Sequence, residues 1–507
     1  LLFENCGLRR GDKIAICGRN SAQWAIAALA SLTYGAVAVP ILHDFKADTI
    51  HHLVNHSEAR LFFVDNSTWE NLDQESMRLL EGTILINDYS LLFSRNKKLT
   101  AARDNLNRLF GEKYPERFLP ADVSYSDEDP DAVAVINYTS GSTGFSKGVM
   151  LTYRNLWSNL QFCIDGLTFL EPGDGMVCML PLAHMYGFMV EMIHPFAKGC
   201  HTHFLTRTPS PKVIMEAFAR VRPKLIVAVP LIIEKIIKTR VFPTLERPLM
   251  KLLMHVPVLD DHLLAKIKQK IIDSFGGELR ELIIGGAGVN KEVEAFLRRI
   301  RFPYTVGYGM TECGPLISYA AWDVQRPASC GKVVDRMEIR VDSSDPASVA
   351  GVLWVRGQSV MKGYYKNDEA TASVFDADGW MNTGDICNVD SDGYIYIRGR
   401  DKNMILGPSG QNIYPEEIEH LLNNMPYVNE SLVVEKDGKL VALVHPDIEA
   451  ASAVGLKMPQ IEQQMEKNIS DLNHDLPDYS RIAEVKVFQE EFEKTPKRSI
   501  KRYLYQH

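Results

Sequence analysis

The stretch Tyr138-Thr139-Ser140-Gly141-Ser142-Thr143-Gly144-Phe145-Ser146-Lys147-Gly148-Val149 holds three glycines, five serines and threonines and a single lysine, with no acid. Glycine lets backbone N–H groups approach a ligand closely, hydroxyls donate further hydrogen bonds, and one lysine supplies charge: together they suit a polyphosphate. An apolar, β-branched run, Ala132 to Ile136, leads into it, and Thr152 can cap a following helix with Leu156, Leu160 and Ile164 on one face. A P-loop is excluded, because its lysine directly follows glycine and precedes Ser or Thr, whereas Lys147 lies between Ser146 and Gly148. A plain polar surface loop is the competing reading, since Gly and Ser are common turn residues.

Four further stretches carry reactive side chains. Tyr304-Thr305-Val306 is a strand running into Gly307-Tyr308-Gly309-Met310-Thr311-Glu312, and Glu281-Leu282-Ile283-Ile284 runs into Gly285-Gly286-Ala287-Gly288. Glycine-rich turns that both end strands fall at the carboxyl edge of a sheet, where α/β folds bind ligands. A carboxylate such as Glu312 beside a polyphosphate is repelled unless a hard cation lies between them. Asp385 stands in Met381-Asn382-Thr383-Gly384-Asp385, fifteen residues before Arg400, and its two oxygens could accept from a pair of hydroxyls. His184 stands in Pro181-Leu182-Ala183-His184-Met185-Tyr186-Gly187, where a lone histidine among apolar residues is more often part of a core. Cys313 has no histidine in a partnering motif and reads as structural.

Taken in order, these motifs resemble those of the adenylate-forming superfamily: acyl-CoA synthetases, adenylation domains of peptide synthetases and beetle luciferases. The resemblance runs from about residue 13 to 502 and implies an AMP-forming acyl-CoA synthetase of the long-chain fatty acid group. It makes Lys147, with Thr139, Ser140, Ser142 and Thr143, the phosphate loop. Gly286 and Ala287 become the adenine platform, and Tyr308, Gly309 and Met310 neighbours of the base. Thr311 becomes a donor to the α-phosphate, Glu312 a ligand of Mg²⁺, Asp385 the ribose acid and Arg400 a ribose or phosphate contact. His184 becomes an acyl-pocket gate, Lys402 in Gly399-Arg400-Asp401-Lys402 the domain pivot, and Gly410 part of the thiol entry. The implied substrates are ATP with Mg²⁺, a fatty acid and coenzyme A. Acyl carrier protein as acceptor, a luciferase-type oxygenase, and a non-catalytic binding protein on the same scaffold stay open as alternatives. The family's C-terminal lysine is missing. The tail reads Lys494-Thr495-Pro496-Lys497-Arg498-Ser499-Ile500-Lys501-Arg502, which puts Ser499 in that lysine's place. Lys497 is the expected substitute, and Lys501-Arg502 reads as a solvated basic face.

The elements that must position these residues alternate. Strands at 13–17, 36–41 and 60–64 are separated by helices at 22–33 and 48–57, the pattern of a parallel sheet covered on both faces. Trp24 to Leu42, apolar for 19 residues, is interrupted by Gly35 and Pro40 and reads as a buried helix and strand, not a membrane span. Residues 95–131 read as a connection with some helix. Ser210-Pro211 opens a helix through Val221, and Leu225 to Val229 is a buried strand. The expected fold is α/β: a large domain over 1–400, with stacked parallel α/β sheets to about 328 and a small β-barrel over about 329–399. A small mobile α+β domain over 401–507 follows, with its hinge near Lys402. A chain of 507 residues is too long for one core, so more than one domain is required. The formal charge of −8 excludes a nucleic-acid binder that relies on a basic surface. Eight scattered cysteines without a C-x-x-C pair fit reduced thiols, hence a cytoplasmic protein, with peripheral membrane contact and dimerisation left open.

Overall fold

The computed structural model describes the chain apart from residues 124, 126–128, 141–145, 207–209, 246–256, 407–410, 437, 496–499 and 507. Its largest sheet has eight strands. Five run parallel: β1 (Lys13–Cys17), β2 (Val37–Ile41), β3 (Ala59–Val64), β4 (Gly82–Leu85) and, across a single register pair from β2, β6 (Val133–Ser140). At one edge β5 (Leu91–Ser94) turns back antiparallel on β4. At the other, β7 (Ser146–Thr152) is antiparallel to β6, and the short strand Gly363–Tyr364 is antiparallel to β7. The strands are fully apolar at their centres (Ile14 to Cys17, Val37 to Ile41), as burial on both faces demands. Ala22–Tyr34 crosses from β1 to β2, with Ser21 accepting from the Trp24 N–H at its start and Gly35 at φ 82° ending it.

The hairpin β6–β7 departs from the expected strand–loop–helix order. Lys147 lies inside a strand, paired with Thr139, and Thr152 caps the helix Tyr153–Gly166 only after β7 is complete. The reason is pairing: β7 is bonded to β6 along its length and to Gly363–Tyr364 on its other side, and Gly148 leaves room for the Tyr138 ring across the β6 pair.

A second layer holds the parallel strands Leu225–Ala228, Glu281–Ile284 and Tyr304–Val306, with its own apolar core around Ile226, Leu282 and Val306. Beyond it Met337–Asp342, Gly351–Gly357, Met381–Val389 and Ile395–Arg400 form an antiparallel sheet. An antiparallel bridge between Lys332 and Tyr394 joins that sheet to the strands Leu316–Tyr319 and Lys332–Val333. After a 3₁₀ turn at Asp401–Asn403, three strands (Val428–Lys436, Lys439–Pro446, Ile482–Val487) and the helices Pro415–Leu422 and Met458–Asp475 enclose a separate core. Among the described residues no helix is long and apolar enough to cross a membrane.

Candidate active site

The site gathers where β6, β7 and the two glycine-ended strands of the second layer leave their sheets. Lys147 reaches from β7 over the ring of Tyr364, its ammonium 4.7 Å from the ring centroid. The Tyr364 hydroxyl donates to Glu312 Oε1 at 3.0 Å. Cation, aromatic face and carboxylate therefore form one chain across three elements, a geometry in which the ring holds the lysine without neutralising it. Burial and the nearby Glu312 carboxylate raise the Tyr364 phenol well above its usual range, so it stays a donor.

Glu312 and Thr311 sit in the 3₁₀ turn Thr311–Cys313 at the end of a tight hairpin. That hairpin requires glycine at 309, where a Cβ would collide with the Pro315 carbonyl oxygen, and the Met310 N–H donates to the same oxygen at 2.8 Å. Cys313 is fully buried and its thiol is pushed far above the usual range by burial, which removes it as a nucleophile.

Tyr308 and Arg400 converge on Asp385. The Tyr308 hydroxyl donates to Asp385 Oδ2 at 2.5 Å, and Arg400 Nε lies 2.7 Å from Oδ1. Burial raises the Asp385 carboxyl, while Arg400 and the Tyr308 hydroxyl pull it down. Asp385 is 7% exposed against 55% for Arg400, so the carboxylate lies inside the pair and the guanidinium on its solvent side. Both oxygens already accept one bond each, which leaves a lone pair on each for a further donor.

Gly286 and Ala287 are exposed in their turn, with Gly286 at φ 91°. Gly285 is pressed by Tyr186, whose ring would lie 3.0 Å from a Cβ there, and the Tyr186 hydroxyl donates to the Ile283 carbonyl at 3.2 Å. His184 is half-buried in the turn before this tyrosine. That turn is held from three sides. Asn137 donates to the Ala183 carbonyl at 2.8 Å, Asn20 donates to Leu180 and accepts from Leu182, and Glu191 accepts from the Met179 and Leu180 N–H groups at 3.0 and 2.8 Å. Burial pushes the Glu191 carboxyl up to about 8.

Between Tyr186, Ile283 and the segment Pro315–Leu316 lies a cavity of about 40 Å³, also lined by Met189, Phe162 and Tyr319. It presents carbon alone. The Tyr319 hydroxyl donates to Glu281, and Asn159 donates to the Asn155 and Cys313 carbonyls and accepts from the Leu316 N–H.

Of the residues singled out in the sequence, Lys147, Glu312, Tyr308, Asp385 and Arg400 are thus brought together, with Thr139, Thr311 and Met310 beside them. Ser140 is the last residue of β6, opposite Ser146, while Ser142, Thr143, Gly410, Lys497 and Ser499 lie outside the described residues. Lys402 is exposed in the middle of the 3₁₀ turn. The tail corrects one expectation: Arg502 is not a solvated face but 14% exposed, its guanidinium 2.5 Å from Glu419 in the C-terminal core, and Lys501 pairs with Glu493. The Arg502 guanidinium also donates to the Val433 carbonyl at 3.1 Å, so a buried acid and a strand carbonyl satisfy the charge away from solvent. Sequence reading missed Tyr364, which carries no motif signal. It also missed Glu191, which did carry one, as a lone acid inside Phe188-Met189-Val190-Glu191-Met192-Ile193.

Known proteins match this arrangement over nearly the whole chain. The model of the AMP-binding enzyme family matches residues 1–365, and that of the AMP-binding enzyme C-terminal domain matches residues 402–506. Luciferin 4-monooxygenase of Photuris pensylvanica is 27% identical over 443 residues, covering 84% of this chain and 73% of its own. The peroxisomal long chain acyl-CoA synthetase 6 of Arabidopsis thaliana is 29% identical, covering 87% of this chain and 66% of its own. O-succinylbenzoate coenzyme A synthetase (MenE) of Bacillus subtilis, solved with ATP and magnesium ion, superposes with a TM-score of 0.74 at 21% identity, over 99% of this chain and 90% of that one. With Lys147 on β7, the Glu312 turn and the Asp385 pair in place on such a fold, the chain belongs to the AMP-binding enzyme family, within the adenylate-forming superfamily.

Proposed function

We propose that the protein is an AMP-forming acid–CoA ligase whose acid is a fatty acid, of the long-chain group. The observation that carries this reading is the joining of Lys147, Tyr364 and Glu312 beside a cavity lined by carbon alone. A carboxylate is a poor acylating agent because its leaving group would be oxide. In the first step a carboxylate oxygen bonds to the α-phosphorus of ATP, the bond from that phosphorus to the bridging oxygen breaks, and pyrophosphate leaves. In the second the coenzyme A thiolate attacks the acyl carbon and AMP leaves. Lys147 and the backbone N–H groups of its hairpin hold negative charge as it builds, Thr311 donates to the α-phosphate, and Asp385 accepts from ribose. One carboxylate, Glu312, suits Mg²⁺, which takes most of its ligands from phosphates and water; bound there, it would neutralise charge on the phosphates. Among the described residues no cluster of three acidic, His or Cys groups offers an all-protein metal cage, in keeping with that use of one carboxylate.

The two reactions are taken to share one cleft, with the segment after residue 400 turning about Lys402 between them. Support comes from the separate core beyond residue 405 and from the narrow, exposed 3₁₀ connection. For the missing cation at Ser499, Lys497 is assigned the role of bridging carboxylate and α-phosphate. Lys497→Ala should slow adenylate formation while sparing thioester formation from supplied acyl adenylate; equal adenylation rates in the two proteins reject that assignment. The reading as a whole is tested by pyrophosphate release from ATP over a panel of acids, with and without coenzyme A. No release with any acid favours a non-catalytic binding protein. Release without thioester points to another acceptor, such as acyl carrier protein.

A further inference from the structure

The apolar cavity beside Tyr186, Ile283 and Leu316 is too small for the chain it is proposed to receive. At about 40 Å³ it has room for roughly three water-sized groups, since about 10–15 Å³ is needed for one. A long acyl tail therefore enters only where a wall gives way, and the walls differ in how firmly they are held. Tyr186 is pinned through its hydroxyl to the Ile283 carbonyl and pressed on Gly285. Tyr319 is pinned through its hydroxyl to Glu281 Oε1 at 2.8 Å, and the same oxygen accepts from the Trp322 N–H at 3.1 Å. Met189, Val190, Cys163 and Leu167 are buried among core side chains, and Ile283 belongs to a paired strand.

Phe162 is different. It carries no polar anchor, is half-buried, and stands on the helix Tyr153–Gly166 with solvent on its outer side. It packs at the margin of the apolar core and meets the Tyr319 ring edge-on, centroids 5.6 Å apart at 77°. Behind it, one turn along the helix, position 166 is glycine and exposed; a Cβ there would touch the Phe162 ring edge at 3.8 Å. The missing methyl group leaves space for the ring to rock outward. Such an edge-on contact adds little beyond its buried area, small beside the burial of several methylenes.

Resting on the acid-activating reading above, we infer that Phe162 is a side-chain door at the far end of the acyl cavity. Short straight-chain acids are held with it closed, and longer ones are activated only as it swings off the fixed Tyr319 and lets the tail run along the helix surface. Chain-length preference is then set by this one residue, which does not touch the reacting atoms.

The test compares pyrophosphate release with straight-chain acids from butanoate to hexadecanoate for the parent, Phe162→Ala and Phe162→Trp. Removing the door should raise kcat/KM for hexadecanoate by about tenfold or more and leave butanoate nearly unchanged; enlarging it should lower hexadecanoate by a similar factor and again spare butanoate. A change of the same size at every chain length, or none at any, overturns the door while leaving the ligase reading intact. Absence of release by the parent with every acid overturns the ligase reading, and the door with it.

Discussion

At the scale of single residues, Lys147 and Tyr364 divide one task. The ammonium supplies charge and the ring supplies a place to hold it, 4.7 Å away. Lys147→Ala should slow acyl-adenylate formation by about 10²–10³-fold, as when one donor to a developing charge is deleted. Circular dichroism should show the fold unchanged, because the strand pairing of Lys147 with Thr139 is made by backbone. Tyr364→Phe keeps the ring and removes only the hydroxyl that Glu312 accepts. A hydrogen bond to a charged group contributes about 1.5–3 kcal/mol, so a loss of roughly tenfold or more in adenylation is expected. Thioester formation from supplied acyl adenylate should not change. A loss confined to that second half-reaction would take Tyr364 out of the phosphate machinery.

At the scale of elements, the turn bearing His184 is organised by the π-helix Gly187–Ile193 behind it, through Glu191. Burial holds the Glu191 carboxyl near 8 in the folded chain against an ordinary 4.5, so the folded state keeps a proton that the unfolded state releases. Stability is therefore full below about pH 4.5 and falls as pH rises through about 8. The groups facing it, Cys178 and Tyr186, are pushed far above their usual ranges and stay neutral across that window. Glu191→Gln retains an acceptor for the two N–H groups and has no proton to lose. Its melting temperature should vary less than the parent's between about pH 5 and pH 9, with the variant relatively more stable at the upper end. Parallel curves for the two proteins would show that Glu191 does not titrate.

At the scale of the molecule, the part after residue 400 has its own core and meets the rest through polar contacts among the described residues. Asn290 bonds Asn424, and Arg398 lies 3.4 Å from Glu417. His420 packs 3.9 Å from where a Gly288 Cβ would stand, which brings the helix Pro415–Leu422 beside the Gly285–Gly288 turn. Lys402→Pro fixes φ in the 3₁₀ turn Asp401–Asn403. One half-reaction should survive and the other be largely lost, measured as pyrophosphate release against thioester formation from supplied acyl adenylate. Equal loss of both would place the pivot elsewhere.

Much of this was legible in the residues themselves. The alternation of strand and helix from 13 to 64, the Gly35 stop and the Ser210-Pro211 helix start rest on local backbone preferences, and all appear within a residue or two of expectation. The glycine-ended strands could be placed at a sheet edge because a strand that ends in glycine must turn there. What could not be read was decided by contacts between distant segments. Lys147 became a strand residue because Gly363–Tyr364 and Thr139 pair with β7 on either side. Tyr364 entered the site because that same short strand returns over two hundred positions later in the chain. Arg502 left the surface because Glu419, buried on another helix, needed a cation. Pattern and spacing report on neighbours along the chain; which charge meets which, and how large a cavity remains between the walls, depends on how separate elements pack, and only the tertiary structure fixes that.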